Sequence, residues 1–132
     1  MKVIDTCGWI EWLTDGVLSE AYEPYFDRVE TLMTPTSVQF ELYKWVRRNS
    51  GGEKALQAVA LTEQTQIIPL TTSIALLAAD LSTEHSLSFA DAIIYASARF
   101  HQARLITSDS HFEGLLGVEY FSKLDPLKPR SL

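Results

Sequence analysis

Apolar and polar positions alternate along this chain in two kinds of block. Short apolar runs bounded by turn residues read as buried strands. Longer stretches with apolar residues at three- and four-residue spacing read as helices. The first run, residues 2–4, ends at Asp5, and residues 8–13 predict a short helix before an Asp15-Gly16 turn. Pro24 is expected to open a second helix to about Thr31, since proline suits the first helical turn. Residues 31–34 read as a second strand, stopped by Pro35. Thr36 and Gln39 have capping-box spacing and predict a helix to about Asn49, where Ser50-Gly51-Gly52 breaks it. Residues 53–62 predict another helix with Leu56, Val59 and Ala60 on one face, and residues 65–70 a third strand. Thr72 or Ser73 caps a helix with Ile74, Leu77, Ala78 and Leu81 as its stripe. Ser88 and Asp91 mark the start of a helix to about Gln102 that is apolar on nearly every side, Phe89 included, and so belongs at the centre of the fold. Residues 104–107 read as a fourth strand, 111–115 as a helical turn, 118–121 as an edge strand and 126–130 as a loose tail.

Strands alternating with helices predict an α/β fold: a central parallel sheet of four or five strands covered on both faces. The length of 132 residues predicts a single domain spanning residues 1–132. In such folds ligands bind beyond the carboxyl ends of the strands, at the topological switch point. Asp5 follows the first strand there and Asp109 the fourth. Glu41 and Asp91 lie near the starts of helices that follow loops at the same end. Glu41 borders the apolar stripe of its helix, one turn from Val38 and one from Trp45. Four gathered carboxylates repel one another. A divalent cation compensates them, and oxygen ligands favour Mg²⁺ or Mn²⁺ over zinc or copper. Singly, three of the acids have plain structural readings. Asp91 suits a helix N-terminus, Asp109 suits a turn, and Glu41 can pair with Lys44 or Trp45 or be solvated. Asp5, at the end of a buried strand, has few structural reasons to be there.

Composition narrows the classes. Hydrophobic residues make up 46% and charged residues 21%, which is globular rather than disordered. No run approaches the roughly 18 apolar residues of a membrane span. The opening MKVIDTCGWIEWL is too short and acidic for a signal peptide, so a cytoplasmic location is expected. The single cysteine, Cys7, fits a reducing compartment and reads as a small buried residue rather than a nucleophile. Net charge is 11 − 17 = −6, which argues against a non-specific duplex-DNA binder. It leaves a nuclease open, because the carboxylates of a metal site add negative charge that the ion offsets. The densest basic cluster is Lys44, Arg47 and Arg48: either a grip on an RNA backbone or a solvated face with internal ion pairs. Trp9, Trp12, Tyr22, Tyr25 and Phe26 crowd the first two helices. That is more ring than a short hairpin buries easily, and it predicts an apolar groove for a partner helix. Leu76, Leu77 and Leu81 offer an alternative seam for a homodimer.

Three segments carry a family likeness: VIDTCGWIEWL, TSVQFELYKWV and SFADAIIYASARFHQARLITSDSHF. On them the chain resembles the PIN-domain ribonucleases, and most of all the VapC-type toxins of toxin–antitoxin pairs. ADAIIYASA followed by LITSDSHF is the most specific stretch. The resemblance implies a three-layer α/β/α sandwich and an RNA endonuclease dependent on Mg²⁺ or Mn²⁺. By position it places the family's four acids on Asp5, Glu41, Asp91 and Asp109. Asp5 and Asp91, helped by Asp109, would hold the metal, and Glu41 would position or deprotonate water. Thr6 and Thr107 match supporting hydroxyl residues. It also implies an antitoxin covering Trp9, Trp12, Tyr25 and Phe26 and sending a basic side chain toward the acids. The chain departs from the family twice. Cys7 stands where serine is frequent, and His111 stands where many relatives carry a further acid, which makes the site less negative. Two other classes compete: a catalytically degenerate PIN domain kept as a protein-binding scaffold, and a receiver-like phospho-acceptor domain. The four acids disfavour the first. The second needs a lysine near a late strand end, where the chain reads Leu105-Ile106-Thr107-Ser108-Asp109.

Overall fold

The computed structural model describes residues 1–123 in full and the backbone of Asp125–Ser131. Five parallel strands form the sheet: β1 (Lys2–Ile4), β2 (Leu32–Pro35), β3 (Gln66–Ile68), β4 (Arg104–Thr107) and β5 (Val118–Ser122). Six helices flank it in three layers: α1 (Thr6–Leu13), α2 (Ser19–Phe26), α3 (Thr36–Ser50), α4 (Gly52–Thr62), α5 (Thr72–His85) and α6 (Phe89–Phe100). The backbone of Asp125–Ser131 adds an antiparallel strand, β6, along β5, so β5 is not the edge. Residues 126–130, expected to be loose, run within that strand.

The strand order β3-β2-β1-β4-β5-β6 grows outward from β1 in one direction and from β4 in the other. The switch point is therefore the seam between β1 and β4, where Ile4 is the register partner of Ile106. These two strands carry Val3, Ile4, Leu105 and Ile106, all essentially buried. A continuous apolar run is what a parallel strand covered on both faces requires. Against them lies α6, buried without interruption from Ala92 to Ala98. Its two ends depart from expectation: Phe89 is 80% exposed and Phe100 50%.

Two helices differ from their sequence signals for local reasons. α2 starts at Ser19, so Pro24 lies inside it rather than at its head. The missing proline N–H weakens the last turn, and the helix ends at Phe26. α4 buries Ala55, Ala58 and Thr62 instead of the larger Leu56, Val59 and Ala60 face. Small residues let α4 pack closely on α3, and Gln39 ties the pair by donating to Thr62 Oγ1 at 3.0 Å and Glu63 Oε2 at 3.2 Å. Gln39 therefore does not close the capping box predicted with Thr36, and α3 starts without a side-chain cap.

The aromatic hairpin is largely core. Trp9 and Tyr22 are buried, and Gly8 makes room for Tyr22: a Cβ there would meet its ring at 2.5 Å. The expectation that Trp9 faces a partner is thus overturned, because the indole is enclosed between Trp12 and Phe26 in edge contacts. Trp12 stacks on Phe26 with ring centroids 4.2 Å apart, and Trp12, Tyr25 and Phe26 are half-buried. Tyr25 Oη donates to Glu119 Oε2.

Candidate active site at the sheet rim

Chain turns at the β1 and β4 ends build the site. Asp5, released from β1, caps α1: its Oδ1 accepts from Thr6 N at 2.8 Å. Asp5 Oδ2 accepts from Thr107 Oγ1 at 2.7 Å, across the switch-point seam. The same hydroxyl oxygen accepts from Asp109 N at 2.9 Å, which turns the chain after β4. On the other side of Asp5, Thr6 Oγ1 donates to Glu41 Oε1 at 2.7 Å, reaching across to α3. Asp109 Oδ1 accepts from His111 N at 2.9 Å as the cap of a 3₁₀ turn, Ser110–Phe112. His111 Nδ1 then lies 3.1 Å from Asp109 Oδ1 and 3.3 Å from Asp91 Oδ2. The result is one connected series: Glu41, Thr6, Asp5, Thr107, Asp109, His111, Asp91. All four acids named in the sequence belong to it, and so do both threonines.

Burial sets the electrostatics. Asp5 is enclosed, and desolvation is the main cause of a pKa raised to about 6. The hydrogen bonds from Thr107 and Thr6 lower it, while the Asp109 and Asp91 charges raise it further. Asp91 is also pushed upward, first by burial and then by Asp109, with His111 pulling the other way. The three aspartates thus form a negative cluster held against mutual repulsion.

That chemistry suits a hard divalent cation. Oxygen donors predominate, two of the carboxylates resist ionising without compensation, and a metal charge reverses that penalty. Asp91, Asp109 and His111 each present a ligand atom, all within 4.8 Å of one another. Asp5 borders this group through Thr107, whereas Glu41 is held apart by Thr6. His111 is the member that sequence reading missed as a participant. Its place follows from the 3₁₀ turn, which returns the second residue after the capping Asp109 to that carboxylate.

Cys7 adjoins the site without activation. Its thiol contacts Asp5 Oδ2 at 3.5 Å and Thr107 Oγ1 at 3.6 Å, and burial with the Asp5 charge raises its pKa to about 11. A protonated thiol is a poor nucleophile.

Beside Glu41, α3 offers its cations. Lys44, Arg47 and Arg48 are exposed, and the ion pairs among the described residues include none of them. A recess of about 300 Å³ borders Thr6, Glu41, Phe40, Lys44 and Arg48. A wider groove of about 890 Å³ between α3 and α4 takes in Phe40, Lys44, Arg47, Arg48, Leu56 and Val59. Its exposed apolar residues are Phe40 at 66% and Leu56 at 63%. On α5, Leu76 is exposed, while Leu77 and Leu81 are half-buried against the core.

Comparison with known proteins agrees with this architecture. The family model described as PIN domain matches residues 2–115. No curated protein matches the chain in sequence. Among solved structures, a toxin–antitoxin complex from Klebsiella pneumoniae superposes with a TM-score of 0.77 at 21% identity, covering 95% of this chain and 99% of that one. VapC20 of Mycobacterium tuberculosis, described as a sarcin–ricin loop cleaving toxin, gives 0.66 at 20% identity over 79% and 85%. DNA-bound VapBC from Salmonella typhimurium gives 0.69 at 16% identity over 89% and 96%. At these identities the likeness is one of fold.

Proposed function

The chain belongs to the PIN-domain family, and from that premise we propose that it is a metal-dependent endoribonuclease acting in the cytoplasm as the toxin of a toxin–antitoxin pair. One observation carries the reading. The four acids meet at the topological switch point in a single connected series, with Asp5 and Asp91 held at raised pKa. A scaffold has no need to bury carboxylates against repulsion, so the arrangement favours an enzyme over a degenerate domain.

In this reading Asp5, Asp91 and Asp109 hold Mg²⁺ or Mn²⁺. When bound, the ion supplies charge for the phosphodiester oxygens and makes a water more acidic. Glu41 stands outside the aspartates, oriented by Thr6, and accepts a proton from the attacking water. Thr107 keeps Asp5 and the Asp109 turn in register. Lys44, Arg47 and Arg48 line the approach on α3 and take the backbone phosphates of the RNA. The inhibitory partner is an antitoxin, as in the complexes of similar fold. Of the hairpin rings, the half-buried Trp12, Tyr25 and Phe26 retain surface for it. A second copy of the chain packs through α5, where Leu76 is 64% exposed.

The test is cleavage of a mixed RNA pool by purified protein freed of its partner. Cleavage should need Mg²⁺ or Mn²⁺, stop with EDTA, and fail in Asp5→Asn and Asp91→Asn. Metal-independent cleavage, or undiminished activity in both variants, rejects the proposal.

A further inference from the structure

His111 stands in the 3₁₀ turn that follows Asp109, and its ring faces the aspartates. Nδ1 is 3.3 Å from Asp91 Oδ2 and 3.1 Å from Asp109 Oδ1. Neighbouring ligands on an octahedral ion with bonds of about 2.1 Å are about 3.0 Å apart. Both separations already approximate an edge of such a coordination sphere. Local backbone holds the ring there: Asp109 caps the 3₁₀ turn by accepting from His111 N at 2.9 Å.

We propose that His111 Nδ1 is itself a ligand of the divalent ion, beside Asp91 and Asp109. The centre is then a mixed carboxylate–imidazole site rather than one of carboxylates alone. The inference rests on the metal-dependent reading above and adds the identity of one ligand to it. A ligating Nδ1 carries no proton, so the imidazole's proton resides on Nε2. The ring is 73% exposed, and that proton needs no buried partner. Replacing an anionic oxygen by a neutral nitrogen has two consequences. The site attracts Mg²⁺ less, and its relative preference moves toward borderline ions that accept imidazole, such as Co²⁺.

The experiment loads metal-free protein with Mn²⁺ and reads pulsed EPR for the ¹⁴N coupling of a directly bound imidazole. Wild type should show it. His111→Gln and His111→Asp should bind Mn²⁺ without it. His111→Asp, which keeps a metal-binding side chain at the position but supplies oxygen in place of nitrogen, guards against an effect of misfolding. Calorimetry on the same proteins gives dissociation constants for Mg²⁺ and Co²⁺. Their ratio, Mg²⁺ over Co²⁺, should be at least about tenfold larger in wild type than in His111→Asp. Mn²⁺ bound to wild type without ¹⁴N coupling overturns the ligand assignment, as does a coupling that survives in His111→Gln. Either leaves the metal-dependent reading standing. No Mn²⁺ binding to wild type overturns both.

Discussion

α1 begins in the acid rim and ends in the aromatic hairpin, and the two ends of this short helix follow opposite rules. At the first, Asp5 is buried with its pKa raised to about 6, so its charge is held against the environment. At the second, Trp9 and Trp12 pack edge-on and Trp12 stacks on Phe26, so every ring contact favours the folded chain. Folding alone explains the hairpin and leaves the rim unexplained. Groups held at a cost to stability, in a position the topology reserves for ligands, mark where function resides.

The largest expected effect separates the two ends by activity. Asp5→Asn and Asp91→Asn should each lower metal-dependent cleavage on the order of 10³-fold, about 4 kcal/mol of transition-state stabilisation. Neither should lower the melting temperature of the metal-free protein at pH 7.5, because each removes a member of a repulsive cluster. A variant that loses activity only in proportion to lost folded protein would make the rim structural and dissolve the contrast.

The hairpin should behave in reverse. Trp9→Ala removes a buried indole and should cost about 4 kcal/mol in urea unfolding. Among the described residues the Trp9 Nε1 has no hydrogen-bond partner, so the ring is present for its volume. Trp9→Phe should therefore recover most of the loss, and folded molecules of either variant should retain the specific activity of wild type. Full stability in Trp9→Ala would return Trp9 to the surface and revive it as a contact for a partner.

A pH titration of stability sharpens the same contrast. The folded pKa of Asp5 lies above its unfolded value, so the folded state holds the proton more tightly. The resulting stability is complete below about pH 4 and is lost as pH rises to about 6. Between the two values, 3.8 and about 6, the loss amounts to about 3 kcal/mol. The quantity to measure is the wild-type unfolding free energy minus that of Asp5→Asn, from pH 3.5 to 7.5, without metal. It should fall through this window, and Mg²⁺ added at pH 7.5 should raise wild type but not the variant. A flat difference would mean that Asp5 carries no electrostatic burden.

How far the sequence discloses each end follows from the same physics. β1, β4 and α6 are legible because their apolar runs admit one buried arrangement, and Asp5 and Asp109 because they lie within two residues of the ends of β1 and β4. Trp9 is misread because ring count says nothing about enclosure: the indole is shut in by Trp12 on its own helix and Phe26 on the next. Leu56 was misread for a related reason, since the small Ala55 and Ala58 were preferred at the α3–α4 contact. His111 was seen as a missing acid and not as a present imidazole, because only the 3₁₀ turn after Asp109 reveals where its ring returns.

The smallest expected effect concerns the approach to the rim. Lys44 and Arg48 border both the recess beside Glu41 and the wider α3–α4 groove, whereas Arg47 borders only the groove. Exposed cations contribute to RNA affinity through counterion release, with a salt slope of about −0.7 per phosphate contact on single strands. Lys44→Ala and Arg48→Ala, made in an inactive Asp91→Asn background, should each weaken RNA binding about three- to tenfold at low salt. Each should also flatten the plot of log affinity against log salt by about 0.7. Sequence preference among RNAs should not change, because a phosphate contact carries no base information. Arg47→Ala should have the weaker effect on cleavage rate, being farther from Glu41 by its lining. Unchanged slopes in Lys44→Ala and Arg48→Ala would assign these cations to the solvated face that their spacing equally allowed. The RNA path would then run elsewhere along the rim.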